Sequence, residues 1–254
     1  MAESSLSVSY NELRRYAGML LGYDRTYGNW SATQITEVDD IINAGLRRFY
    51  RASDWTFLRQ TTTLAISVAG DYDYDLPDNF GAMDGNFTYP AASGPGYPAI
   101  VPRNEQQIRE HRQVSTVTGP PVEFAIRPLV STGATGQRFE VIFWPTPNAS
   151  YTLSYRYTVL CSTLSASFPY PLGGQQHAET IKEFVLAEAE QTLDENMGLH
   201  AQAAARELQA SLRIDAISIT PGSLGYMGDP SNGSYASERG LSSETATYNG
   251  TLWS

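Results

Sequence analysis

The chain has 254 residues, 41% of them hydrophobic, with 27 acidic and 17 basic residues, a net charge of −10 and a single cysteine. That length admits one large domain or two small ones, and the acidity disfavours tight binding of nucleic acid, whose phosphates it repels. One cysteine excludes an internal disulfide and a cysteine-based zinc site.

The spacing predicts a first helix over about Tyr10 to Leu21. Ser9 and Glu12 form a capping box, each side chain serving the other's free backbone N–H, and Leu13, Tyr16, Ala17 and Leu20 share one face. Gly22 is the expected stop. A second helix is predicted from Gln34 to Ala52, with Thr33 as N-cap. Acidic residues stand near its start, and Arg47, Arg48 and Arg51 near its end, as the helix dipole favours. Ile35, Val38, Ile42, Gly45, Leu46 and Phe49 make its apolar stripe.

The middle reads as β. Strands are expected over Thr61 to Val68, within the alternating Asp71–Leu76, at Phe87 to Tyr89, and over Val122 to Ile126, Arg138 to Trp144 and Tyr151 to Leu160. In the last of these, Tyr151, Leu153, Tyr155, Tyr157 and Val159 face one side. A short polar helix is predicted over Asn104 to Gln113, capped by Asn104. Residues 90–98 and 162–174 are Pro- and Gly-rich loops. Trp55, Phe57, Phe139, Phe143 and Trp144 are core candidates.

From Gln175 to Asp215 the pattern is helical again and carries eight acidic and three basic residues. Unbroken, such a helix is about 60 Å long, with Gly198 as a possible kink. After Ala216 no helical or strand period remains. The tail holds spaced apolar anchors, including Leu224, Tyr226, Met227, Tyr235, Tyr248 and Trp253, which suits a segment that orders on a partner.

Tests for chemistry give bland answers. Asp71, Asp73 and Asp75 lack the glycine and distal glutamate of a calcium loop and read as a solvated strand edge. His111, His177 and His200 have no ligands at metal spacing, and His177 and His200 are expected at the surface. Cys161 reads as a small core residue. Glu188, Glu190, Asp194 and Glu195 have no matching Glu-x-x-His partners and read as a solvated helix face. Phosphate-loop, dinucleotide, nucleophile-elbow and zinc-protease motifs do not occur. No catalytic residue, cofactor or metal is therefore expected. Apolar runs too short to cross a bilayer, and charged residues where a signal peptide would be apolar, point away from membrane and export.

The order of parts resembles the head-to-tail adaptor proteins of tailed bacteriophages, the group that includes podovirus tail tubular protein A. The residues carrying the likeness are Ile41-Ile42-Asn43 leading to Phe49-Tyr50, Asp54 to Arg59, Gly70…Tyr74-x-Leu76-Pro77-x-x-Phe80, Gly119-Pro120-Pro121…Phe124-Ala125-Ile126, and Phe143 to Pro147 leading to Tyr151 to Tyr157. The resemblance implies an α+β fold: a small helical bundle from 8–58 and 175–215, an inserted antiparallel β domain over 59–174, and an extended C-terminal tail over 216–254. It further implies a virion protein made in the host cytoplasm and placed at the head–tail junction. About twelve copies would form a homo-oligomeric ring between portal protein and tail protein, with double-stranded DNA passing through and no membrane contact. The tail, with the six anchors above, would dock on the portal. A completion or terminator protein elsewhere in the neck is the alternative. A phage enzyme would need an acidic pair or nucleophile in a cleft, and the sequence marks none.

Overall fold

The computed structural model describes residues 4–66, 70–90, 97, 99–134, 136–194, 198–218, 247–248 and 251–252. Helix α1 (Tyr10–Leu20) begins at Ser9, whose hydroxyl accepts from the Glu12 N–H while Glu12 returns to the Ser9 N–H at 2.8 Å. It ends before Gly22, whose φ of +77° only glycine adopts freely. Helix α2 (Ala32–Arg51) starts two residues earlier than predicted. Its N-cap is Ser31, not Thr33, because Ser31 and Gln34 complete a second capping box. Asp39 on α2 accepts from Arg14 through two bonds, at 2.8 and 2.6 Å, and from the Tyr10 hydroxyl at 2.8 Å, fastening α1 to α2.

The β region forms two main sheets. In the first, β9 (Tyr151–Val159) lies between β1 (Arg59–Ile66) and β3 (Phe80–Met83), antiparallel to both. The alternation expected in β9 is present: Leu153, Tyr155, Tyr157 and Val159 are buried, and Tyr151 is half-buried. The second sheet runs β2 (Asp73–Asp75), β7 (Phe139–Trp144), β6 (Glu123–Pro128), β4 (Val101–Pro102). Its β2–β7 and β7–β6 pairs are antiparallel, whereas β4 joins β6 in parallel. A two-residue parallel pair links β5 (Thr118–Gly119) to β8 (Thr146–Pro147). Phe87 to Tyr89 contributes only a bridge from Thr88 to Ser154, not a strand. Helix α3 (Glu105–Val114), capped by Asn104 as predicted, packs on β6 and β7 over Ile108, Ala125 and Ile142.

The late helical block, about 60 Å long if unbroken, is instead two helices with the expected break at Gly198 between them, α4 (Ala178–Asp194) and α5 (Leu199–Ser218), which pack on each other. Glu190 explains the turn. Its carboxylate accepts from the backbone N–H groups of Leu199 and His200, at 3.0 and 2.9 Å, so a side chain from α4 caps α5. Buried Thr180 and Ser211, with hydroxyls 2.6 Å apart, hold the two helices together.

One core unites α1, α2 and α4 around Leu13, Val38, Ile42, Phe49, Trp55, Ile181 and Val185. A second lies between the sheets around Phe80, Phe87, Phe143, Leu153 and Tyr155. Leu172 is packed against both. Of the expected core aromatics, Trp55 and Phe143 are fully buried; Phe57, Phe139 and Trp144 are half-buried at the edges. The fold is α+β, as the alternating periods imply. The chain divides into two units, Met1–Ser218 and Ile219–Ser254. In the second, β10 (Thr247–Tyr248) pairs antiparallel with β11 (Thr251–Leu252). A strand pair therefore exists where no strand period was expected. The intervening Asn249-Gly250 is the dipeptide favoured in two-residue hairpin turns.

Candidate functional site

Of the six tail anchors, Leu224, Tyr226, Met227, Tyr235 and Trp253 lie outside the described residues; Tyr248 falls in β10, where its backbone pairs with Thr251. The geometry that can be built from side chains belongs to the first unit, and its centre is the passage from α2 into β1.

There Trp55 caps one short 3₁₀ turn, Thr56–Leu58. Trp55 stacks on Phe49 at 4.7 Å and donates its indole N–H to the Phe49 carbonyl at 3.0 Å. His177, expected at the surface among polar neighbours, is buried at 2% exposure. Its ring lies 4.9 Å from Phe57, 5.2 Å from Trp55 and 6.1 Å from Phe49. Gly173, at a φ of +116°, turns the loop beside Phe57 and His177 where a side chain would crowd both. Burial holds the His177 pKa below 6.5, with the Asp215 carboxylate acting in the opposite sense. Asp215 is itself buried and accepts from the Thr56 hydroxyl at 2.5 Å and the Thr56 N–H at 3.1 and 3.2 Å. Residues from α2, the β1 approach, the loop before α4 and the end of α5 are thus held in one knot.

Beside this knot a cavity of about 260 Å³ is walled by Tyr50, Cys161, Leu164, Phe168, Tyr170 and others. Cys161 is half-buried against the helical core, as a small packing residue. Burial pushes its thiol pKa up to about 11, so it is protonated near neutrality and a weak nucleophile. A wider groove, about 530 Å³, runs between α2 and α4 past Thr36, Glu37, Asp40, Ile41, Arg47 and Glu188.

Of the four acidic residues expected on a solvated face, Glu195 and the side chain of Asp194 lie outside the described residues, and the other two are engaged. Glu188 pairs with Arg48 of α2 at 2.8 Å and is mostly shielded, and Glu190 caps α5. Asp71 and Asp75 are exposed and Asp73 is half-buried, consistent with a strand edge. His111 lies against Trp144 with Nδ1 3.2 Å from Glu123, and His200 Nδ1 is 2.8 Å from Glu183; the first is exposed and the second half-buried. Among the described residues no three His, Cys, Asp or Glu side chains gather at metal-binding distances, and no helix is long and apolar enough to cross a membrane.

The SU10 adaptor protein family model matches residues 8–224, and the chain belongs to that family. No curated protein matches it. Membership supports a structural adaptor role in a bacteriophage virion, in association with portal and tail components. The match is to this family; a specific likeness to podovirus tail tubular protein A finds no support.

Proposed function

We propose that this protein is the ring-forming adaptor at the head–tail junction of a tailed phage. About twelve copies in closed cyclic symmetry join the portal to the first tail component and extend the channel through which DNA is retained and then ejected. The family match over 8–224 carries the reading. In this proposal the helices of 8–58 and 175–215 form the ring body, residues 59–174 form an inserted module, and the tail from 216 docks on the portal. The docking anchors are Leu224, Tyr226, Met227, Tyr235, Tyr248 and Trp253. A net charge of −10 supports a channel that lets DNA slide without holding it.

Mass photometry of the chain mixed with its purified portal ring tests this. The expected result is one species heavier than the portal by about twelve chains, lost when residues 220–254 are deleted while circular dichroism shows the fold retained. A full-length chain that stays at 27.9 kDa beside an intact portal overturns direct portal binding and favours a completion or terminator protein further along the neck. Docking unchanged by the deletion overturns the role of the tail.

A further inference from the structure

The chain has ten more acidic than basic residues, yet one small pocket concentrates guanidinium groups. Arg109 and Arg112, three apart on α3, sit on neighbouring positions of one helix face. Arg127 of β6 and Tyr72, which precedes β2, complete the site with Glu105 and Ile142 in a volume of about 190 Å³. Three cations thus face one carboxylate in the lining.

Those cations are unequally satisfied. Arg127 donates to Glu140 at 2.6 Å and lies 3.7 Å from Glu105; Arg109 is 3.7 Å from the same Glu105. Arg112 makes no ion pair among the described residues. Its guanidinium carbon lies 2.9 Å from the centroid of the Tyr72 ring, and its buried Nη1 has no hydrogen-bond acceptor there. Burial and the nearby Arg127 lower the Arg112 pKa, and Tyr72 and Asp73 only partly oppose them. A buried charged donor without an acceptor is costly, and an incoming anion would remove that cost.

Pocket size and chemistry narrow the anion. At about 30 Å³ per water, the space admits a carboxylate head with its first methylene. The planar guanidinium fork matches a carboxylate or a phosphate through two parallel bonds, and of the two the carboxylate is the one a protein neighbour carries in its own side chains. A DNA backbone needs cations spread along a track, whereas Arg103, Arg138 and Arg156 elsewhere in the β region pair with Glu123, Asp78 and Asp84. We infer that the Arg109–Arg112–Arg127 pocket binds a carboxylate, and that in the assembled ring this is an Asp or Glu side chain of a neighbouring copy. The choice of source rests on the ring proposed above; the carboxylate chemistry does not.

Arginine modification by phenylglyoxal, mapped by peptide mass spectrometry on the full-length protein, tests both parts. On the free chain, sodium acetate slows modification of Arg112 at least about threefold against sodium chloride of equal ionic strength, following 1 + [L]/Kd. Inorganic phosphate and duplex DNA protect less. On the ring assembled with the portal, Arg112 is protected without added acetate. R112Q weakens assembly at least about tenfold, and R112K, which keeps the charge but not the fork, recovers part of it. Thermal melts of both variants report whether α3 remains folded. No protection by acetate overturns the carboxylate site, and stronger protection by DNA replaces it with a nucleic-acid site. Acetate protection of the free chain with an Arg112 that stays reactive in the ring, or a melt-neutral R112Q that assembles normally, overturns the neighbouring copy as source. Failure to form any ring while acetate still protects overturns the ring reading and leaves the pocket standing.

Discussion

Gly45 lies within α2 where that helix meets α4, and replacing it with alanine sets two effects against each other. A Cβ there would stand 2.7 Å from the Val185 Cα, 2.9 Å from its N and 3.0 Å from its Cγ2. Carbon atoms rest at about 3.5 Å or more, so the helices would have to separate by nearly 1 Å. Alanine gains about 1 kcal/mol of helix propensity over glycine. Overpacking costs about 1–3 kcal/mol, and the upper end applies because the obstacle is main chain. Val185 cannot rotate its backbone aside, and α4 is held by Arg48–Glu188 and by buried Ile181 and Ala189. The net expectation for Gly45→Ala is a loss of about 2 kcal/mol, or about 4–8 °C in Tm for a unit of this size. Gly28→Ala is the control, since nothing lies within 4 Å of its Cβ position; it should stay within about 0.5 kcal/mol of the parent. Scanning calorimetry of the two variants decides the matter. A Gly45→Ala melt at or above the parent would mean the close crossing does not limit the packing of α2 on α4.

Other changes probe the remaining joints. Asp215→Ala strands the Thr56 N–H and hydroxyl and should cost about 3 kcal/mol by urea unfolding, with Asp215→Asn losing about half of that because an acceptor oxygen remains; an alanine variant as stable as the parent contradicts the knot. Glu190→Ala should cost about 1 kcal/mol as a lost cap. Gly198→Ala should act through the same carboxylate, because its Cβ would overlap Glu190; the two losses should then combine to less than their sum in a double-mutant cycle, and strict additivity would separate them. His177 gives a pH signature. Its pKa is depressed in the fold, so the unfolded chain takes up a proton near pH 6.5 that the folded chain refuses. Its contribution is fully present above that pH and is lost as pH falls toward the depressed value. His177→Phe should therefore lose less Tm than the parent between about pH 7 and pH 5, and parallel Tm–pH curves would remove His177 as a titrating group.

Where a feature depended on residues close in sequence, it was legible. The Ser9–Glu12 box, the Asn104 cap and the alternation of Tyr151 to Val159 each rest on neighbours two to four positions apart. The α2 start was equally local, but Ser31-x-x-Gln34 was passed over for Thr33, which lacks the reciprocal glutamine. The β10–β11 pair likewise lies inside a tail read as patternless. Two misses have a different cause. Gly198 marked the break, but the return of α5 onto α4 depends on Glu190 reaching nine residues forward to Leu199, which helical periodicity does not show. Burial of His177 depends on rings more than a hundred residues away, at Phe49, Trp55 and Phe57; its sequence neighbours, two glutamines, say the opposite. The arginine pocket was hidden for the same reason, since Tyr72 and Arg127 meet α3 only through the sheet.

The Asp215–Thr56 clamp also determines how the folded unit bears load. The chain leaves α5 three residues beyond Asp215, so tension on anything attached downstream enters the unit there. Its bonds bridge segments 159 residues apart and reach one hydroxyl and one backbone N–H on the same residue. They are therefore stretched together, and α5 cannot be unzipped from its C-terminal end until they break as a group. Tension that reaches Asp215 is therefore shared with Thr56, in the passage from α2 to β1 next to the stacked Phe49 and Trp55.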